Sequence, residues 1–280
     1  MSHGPRVAKY PEGHSGVFDT HAHLYDDKCD SPEEELRRAS SCGVDTVLIP
    51  ADNVATSRLA VEYAQRWNGY EGVTLYASVG VHPHEASSYD EDAETFIIDM
   101  IGKRQELRIK AIGEIGLDYY YDHSPRDVQR EVFAKQLELS FEYDIPFILH
   151  ERDAAGDCLD ILNSFRRRGR FLETPGVCHC CSCSAEVASE LIRMGFYIGF
   201  DGPLTFKNNK KTPKVCEICP MDRIVVETDS PYLTPEPNRG MTNEPAFVPY
   251  VVEKIAQIKG MEPRAVADIT KKNGEKLFRI

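Results

Sequence analysis

Two histidines stand one residue apart in the stretch Val17-Phe18-Asp19-Thr20-His21-Ala22-His23-Leu24. On an extended strand, residues i and i+2 share a face, so His21 and His23 point together into one pocket. Neutral imidazole is the commonest protein ligand for a transition metal, and the pair reads as half of a metal site that needs partners from elsewhere in the chain. Candidate partners recur along the sequence: His82 and His84, Glu114, His150, His179, and Asp229 in the run Glu227-Thr228-Asp229. Asp19, two residues before His21, is expected to be a supporting or core acid rather than a further ligand.

Those residues need elements that bring them to one place. Short β-branched runs alternate with longer amphipathic stretches about eight times, with Gly, Pro or Asp at the junctions. Strands are expected over 16–21, 45–50, 74–81, 109–114, 146–150, 176–179, 196–200 and 223–227. Helices are expected to begin near Ser31, Asn53, Tyr89, Pro125, Ala154, Ser184, Pro213 and Glu244, with one or two more over 263–278. Ser31-Pro32-Glu33-Glu34 combines a capping serine, proline at the first helical position and acids in the first turn, and Gly43 sits where that helix should stop.

Such alternation implies a parallel sheet with right-handed crossovers. Eight units fit a closed (β/α)8 TIM barrel, α/β in class and a single domain over 16–280, preceded by an N-terminal extension over 1–15. An open doubly wound sheet is disfavoured, because no Gly-rich phosphate turn follows the first strand. In a (β/α)8 barrel the active site lies at the C-terminal ends of the strands. His21, His23, Glu114, His150, His179 and Asp229 all fall at such ends, with His82 and His84 following the third strand. Six ligands exceed the three plus water of a single open catalytic site, so the set is sized for two divalent ions, with Glu114 on a middle strand placed to bridge them. Hydrolysis of a phosphoester is the obvious use of such a pair.

Composition narrows the classes further. At 280 residues and 41% hydrophobic, the chain can bury a substantial core, and no stretch approaches the length of an apolar membrane span. Nine cysteines without a secretory signal favour free thiols in a reducing cytoplasm over a disulfide framework. A formal charge of -12 excludes broad phosphate neutralisation, so a polyanionic substrate must be held locally, by metals and a few arginines.

Seven segments between residues 17 and 250 carry a family resemblance: Phe18-Asp19-Thr20-His21-Ala22-His23-Leu24, Gly80-Val81-His82-Pro83-His84, Gly113-Glu114-Ile115-Gly116-Leu117-Asp118-Tyr119-Tyr120, His150-Glu151-Arg152-Asp153-Ala154, Cys178-His179-Cys180, Glu227-Thr228-Asp229-Ser230-Pro231-Tyr232-Leu233, and Asn238-Arg239-Gly240 followed by Asn243-Glu244-Pro245. In these the chain resembles the TatD family of metal-dependent deoxyribonucleases, within the amidohydrolase-like metallohydrolase barrels. The resemblance implies a nuclease acting on DNA ends or single strands, a 3′-to-5′ exonuclease, with DNA as its partner and no obligate protein partner. It implies two divalent ions (Zn, Mg or Mn), one held by His21, His23 and Asp229, the other by His150 and His179, and Glu114 between them. By the same analogy Asp229, with Glu114 the catalytic pair, orients or deprotonates the attacking water. Arg152 and Arg239 become candidates for phosphate contact, and His82 and Tyr120 for lining the substrate pocket.

Two departures accompany the match. Cys181-Ser182-Cys183 stands where the family carries Phe-Ser-Gly, and Glu151 replaces a small residue but should face away from its neighbours. Cys178, Cys180, Cys181 and Cys183, with the Cys216-x-x-Cys219 pair, are expected to be free thiols rather than a zinc site. The basic run Arg166-Arg167-Arg168 with Arg170 reads as a solvated helix end. The alternative enzyme is an amidohydrolase-type hydrolase of small-molecule amides or lactones. Many of those bridge their metals with a carboxylated lysine on strand four. Here Glu114 holds that place, and Lys110 is four residues away, toward the opposite mouth. A catalytically dead scaffold is disfavoured because unused buried charges are costly to keep.

Overall fold

The computed structural model describes residues 7–13 and 16–280; residues 1–6, 14 and 15 of the expected N-terminal extension lie outside the described residues. Among the described residues, eight parallel strands alternate with helices in a (β/α)8 TIM barrel. The strands are β1 (Val17–Asp19), β2 (Val44–Ile49), β3 (Thr74–Val79), β4 (Ile109–Asp118), β5 (Phe147–Arg152), β6 (Gly176–Cys178), β7 (Tyr197–Phe200) and β8 (Ile224–Val226), paired in chain order. The helices are α1 (Pro32–Ser41), α2 (Val54–Arg66), α3 (Glu91–Gly102), α4 (Arg126–Glu142), α5 (Ala155–Arg167), α6 (Ala185–Arg193), α7 (Thr212–Ile218), α8 (Val248–Lys259) and α9 (Pro263–Phe278). The expected helix start near Glu244 is a short 3-10 turn, Pro245–Phe247, which leads into α8.

Start signals read from the sequence act as capping groups. Ser31 accepts from the Glu34 N–H at α1, and Asn53 and Thr56 form a reciprocal capping box at α2. Gly43 has φ +82°, a left-handed turn that returns the chain from α1 to β2. Inside the barrel, Phe18, Leu48, Ala111, Ile148, Val177, Tyr197 and Val225 pack together, with Leu277 and Phe278 of α9 in the same cluster. The opposite strand faces, such as Val47, Ile49, Leu75 and Ile198, pack in the larger cluster shared with the helices. Strands buried on both faces are what a parallel barrel demands.

β1 and β8 close the ring at the mouth by main-chain bonds beyond their ends. Thr20 N–H donates to Val226 (3.0 Å), Asp229 N–H to His21 (2.9 Å) and His23 N–H to Ser230 (2.8 Å). Lys9 and Tyr10 lie against the segment after β8: Lys9 exchanges hydrogen bonds with the Asn238 side chain, and the Tyr10 hydroxyl donates to Glu244 at 2.9 Å.

β4 departs most from expectation. The sequence pattern ends it at Glu114, but it runs on to Asp118, so Glu114 lies within the strand rather than at its end. Between Ile112 and Ile115 the pairing with β5 takes three steps on β4 against two on β5, a bulge that re-aims the side chain at Glu114. Two glycines make this possible. A Cβ on Gly113 (φ +150°) would stand 2.8 Å from the Ile148 Cβ, and one on Gly116 (φ +144°) 2.0 Å from the His150 carbonyl oxygen.

Candidate metal centre

β1 ends at Asp19, two residues earlier than expected, so strict alternation does not carry His21. Its position is set instead by Asp19, whose carboxylate accepts the His21 N–H at 3.2 Å, the Thr228 N–H at 2.9 Å and the Thr228 hydroxyl at 2.7 Å. This buried acid ties the end of β1 to the end of β8, which brings His21 and His23 beside Asp229. Asn243 fixes the other side of that loop by donating to the carbonyls of Thr228 (2.8 Å) and Tyr232 (2.6 Å).

The six expected ligands converge. His21 Nε2 lies 3.2 Å from His23 Nε2, 3.3 Å from Glu114 Oε2 and 3.6 Å from Asp229 Oδ1, and His23 Nε2 is 3.6 Å from both carboxylates. The second oxygen of Glu114 faces a different pair: Oε1 is 3.1 Å from His179 Nε2 and 3.5 Å from His150 Nδ1. His21 and His179 stack at 3.8 Å between ring centroids. Glu114 therefore belongs to two groups whose ligand atoms lie within 4.8 Å of one another, one with His21 and His23, one with His150 and His179.

Neighbouring acids orient the rings, and the sequence motifs assign none of Asp118, Glu227 and Asp52 a role. Asp118 Oδ2 lies 3.0 Å from His150 Nε2 and 2.9 Å from His84 Nε2. Glu227 Oε1 lies 3.1 Å from His179 Nδ1, and Asp52 Oδ2 lies 3.8 Å from His23 Nδ1 and accepts from the Tyr25 hydroxyl at 3.2 Å. Because a carboxylate only accepts, His150 turns its Nε2–H toward Asp118 and His179 its Nδ1–H toward Glu227, each leaving its other nitrogen to face Glu114, while His23 Nδ1 meets the Tyr25 hydroxyl at 3.1 Å. Position offered a signal: Asp118 is four residues after Glu114 on β4, Glu227 is two before Asp229, and Asp52 follows the end of β2.

The electrostatics ask for positive charge. Burial pulls the pKa of His23 down, but Asp52, Asp229 and Glu114 outweigh it and raise it to about 9. Burial is likewise outweighed at His179 by Glu114 and Glu227, and at His150 by Asp118 and Glu114. Burial would raise Glu114 and Asp229, yet the surrounding imidazoles hold both below the ordinary carboxylate range. His21 is lowered by burial and by the stacked His179, and its Nδ1 has no hydrogen-bond partner. Nitrogen and oxygen lone pairs that face one another around carboxylates pulling protons onto the rings suit a divalent cation.

The cluster floors a cavity of about 560 Å³. His82, His84, Arg152, Tyr121 and Tyr232 line it. The Arg152 guanidinium lies over the Tyr120 and Tyr121 rings, at 4.4 and 4.7 Å. Tyr120 is not among the lining residues and is exposed; Arg239 lies elsewhere, 4.0 Å over the Phe206 ring. Lys110 stands with Phe278 and Arg279 at the other end of the barrel. Glu151 accepts the Ala154 N–H at 2.9 Å, away from the ligands.

A (β/α)8 barrel with a buried imidazole and carboxylate cluster at its C-terminal mouth defines a hydrolase of the metal-dependent class. The TatD-related DNase family model matches residues 18–279, and the chain belongs to that family. It is 40% identical over 265 residues to the uncharacterized metal-dependent hydrolase YabD of Bacillus subtilis, covering 94% of this chain and 99% of that one. It is 29% identical to the 3′-5′ ssDNA/RNA exonuclease TatD of Cronobacter sakazakii, covering 94% and 97%. The crystal structure of the TatD homologue YjjV of Escherichia coli superposes with a TM-score of 0.84 at 26% identity, over 94% of this chain and 98% of that one.

Proposed function

We propose that this chain is a divalent-metal-dependent phosphodiesterase that removes nucleotides from the 3′ ends of DNA, preferring single strands. The observation that carries the reading is the division of Glu114, one oxygen facing His21 and His23 and the other facing His150 and His179. His21, His23 and Asp229 would hold one ion, His150 and His179 the other, with Glu114 shared. A bound pair of divalent ions supplies Lewis acidity toward the phosphate and makes water easier to deprotonate.

The remaining steps belong to side chains. Asp229 is held ionised at the cluster's edge, where its carboxylate accepts a proton from the attacking water. Asp118 and Glu227 directly, and Asp52 through the Tyr25 hydroxyl, keep the imidazoles aimed, so little reorganisation accompanies the reaction. Arg152 supplies a planar, permanently charged fork to a phosphate entering the cavity, and Tyr120 and Tyr121 beneath it offer faces for a base. The ends of a strand reach this well more easily than the middle of a duplex. The related exonuclease and the family model support nucleic acid as substrate.

The nine free cysteines support a reducing compartment such as the cytoplasm; no helix among the described residues is long and apolar enough to cross a membrane. Amide or lactone hydrolysis is the second reading, and the placement of Lys110 at the far end of the barrel counts against it.

The deciding experiment incubates metal-loaded protein with 5′-labelled single-stranded DNA, duplex DNA, a simple phosphodiester and a lactone, beside His21→Ala and Asp229→Asn. Stepwise loss of nucleotides from the 3′ end, abolished in both variants, is expected. Turnover of a lactone with no cleavage of any phosphodiester would transfer the assignment to the second reading.

A further inference from the structure

The segment that departs from the family pattern builds a second cluster of metal-binding atoms. Cys178 ends β6, and Cys181 and Cys183 follow in the loop before α6. The sequence suggests free thiols spread along this loop, but the fold gathers three of them. The sulfurs of Cys178, Cys181 and Cys183 lie within 4.8 Å of one another, all three residues buried, with Cys181 Sγ only 3.2 Å from Cys183 Sγ. Cys180 is left out; its main-chain N–H donates to Glu227 instead. The other cysteine pair, Cys216 and Cys219, stands on and just after α7.

We propose that Cys178, Cys181 and Cys183 form a trigonal thiolate site for a thiophilic d10 cation, zinc or monovalent copper, separate from the hydrolytic centre. Three sulfurs converging in a dry pocket are soft ligands, and soft ligands select zinc and monovalent copper over the magnesium or manganese that carboxylates accept. Three thiolates on one divalent ion leave a net negative charge; the neighbouring Cys178 and Cys181 thiols and, to a lesser degree, the Lys211 ammonium favour the Cys183 thiolate. His179 follows Cys178 and precedes Cys181, so an occupied site pins the chain on both sides of that imidazole. The inference uses none of the hydrolytic reading and survives if that reading fails.

Cadmium is the probe, because cadmium thiolates absorb in the ultraviolet and imidazole or carboxylate complexes do not. Protein pre-loaded with manganese is titrated with cadmium, together with Cys181→Ser/Cys183→Ser, Cys216→Ser/Cys219→Ser and Asp229→Asn. The expected result is a thiolate-to-cadmium band that saturates at one equivalent in wild type, Cys216→Ser/Cys219→Ser and Asp229→Asn, and is lost in Cys181→Ser/Cys183→Ser. Absence of the band in wild type, or its persistence in Cys181→Ser/Cys183→Ser, overturns the proposal. Should that double variant fail to fold by circular dichroism, X-ray absorption at the cadmium edge of wild type decides. A first shell of three sulfurs supports the site, and a shell of nitrogen and oxygen alone refutes it.

Discussion

Asp118 Oδ2 stands 3.0 Å from Nε2 of His150, so the ring donates its Nε2–H to the acid and keeps Nδ1 for the cluster, 3.5 Å from Glu114. The same carboxylate oxygen meets His84, and its partner oxygen accepts the Tyr120 and Tyr121 N–H groups at 3.0 and 2.9 Å. One buried acid thereby couples a candidate ligand, a wall of the cavity and the aromatic lip.

Replacing Asp118 by alanine should weaken divalent-metal binding by about 10- to 100-fold, the usual cost of losing an acid behind a ligating imidazole. Isothermal titration with manganese or zinc checks this. Affinity equal to wild type would show that His150 is not oriented through Asp118.

Glu114 faces both imidazole pairs, so its removal should disturb both. Glu114→Ala is expected to lose affinity for both metal equivalents, whereas His23→Ala loses one and keeps the other. Metal analysis after equilibrium dialysis distinguishes them; a Glu114→Ala protein retaining one equivalent at wild-type affinity argues against sharing.

Metal uptake should release protons. His23 has a pKa raised to about 9, so it is protonated at neutral pH and must lose that proton to ligate. Affinity therefore rises with pH until the ring is neutral. A pH-stat at about pH 7 should record acid released on adding metal, and less of it from His23→Ala. Equal release from both proteins contradicts the assignment.

Away from the mouth, Glu35 on α1 is buried, with one oxygen accepting the Asp30 N–H and the other unpartnered. Burial, reinforced by Glu244, raises its pKa from 4.5 to about 8. The folded state thus favours the protonated acid: its contribution is fully present below pH 4.5 and is lost as pH rises through about 8. Glu35→Gln cannot ionise, so it should gain stability relative to wild type across that window, by about 1–3 kcal/mol at the alkaline end. Urea melts of both proteins across the window test this; a constant difference would mean that Glu35 does not titrate there.

Gly116 admits no side chain, since a Cβ would meet the His150 carbonyl oxygen at 2.0 Å. Gly116→Ala should cost about 3 kcal/mol or more and prise β4 from β5 beside a ligand. A denaturant midpoint within error of wild type would refute it.

The sequence by itself was enough to predict eight alternating units and the barrel, and to send six candidate ligands to one rim, because hydrophobic period and turn residues are local and barrel topology gathers strand ends. His21, His23, Glu114, His150, His179 and Asp229 do meet there. Tertiary structure decided what period cannot carry. The β4 bulge puts Glu114 inside the strand and divides its oxygens between two imidazole pairs, and bulge register depends on pairing with β5. Asp52, Asp118 and Glu227 gained their roles only through rings brought to them by other strands. Arg239, close in sequence to the candidate ligand Asp229, lies over Phe206 instead, while Cys178, Cys181 and Cys183 share one pocket. Such pairings are set by how loops fold back on the barrel, where no repeating pattern in the chain records the outcome.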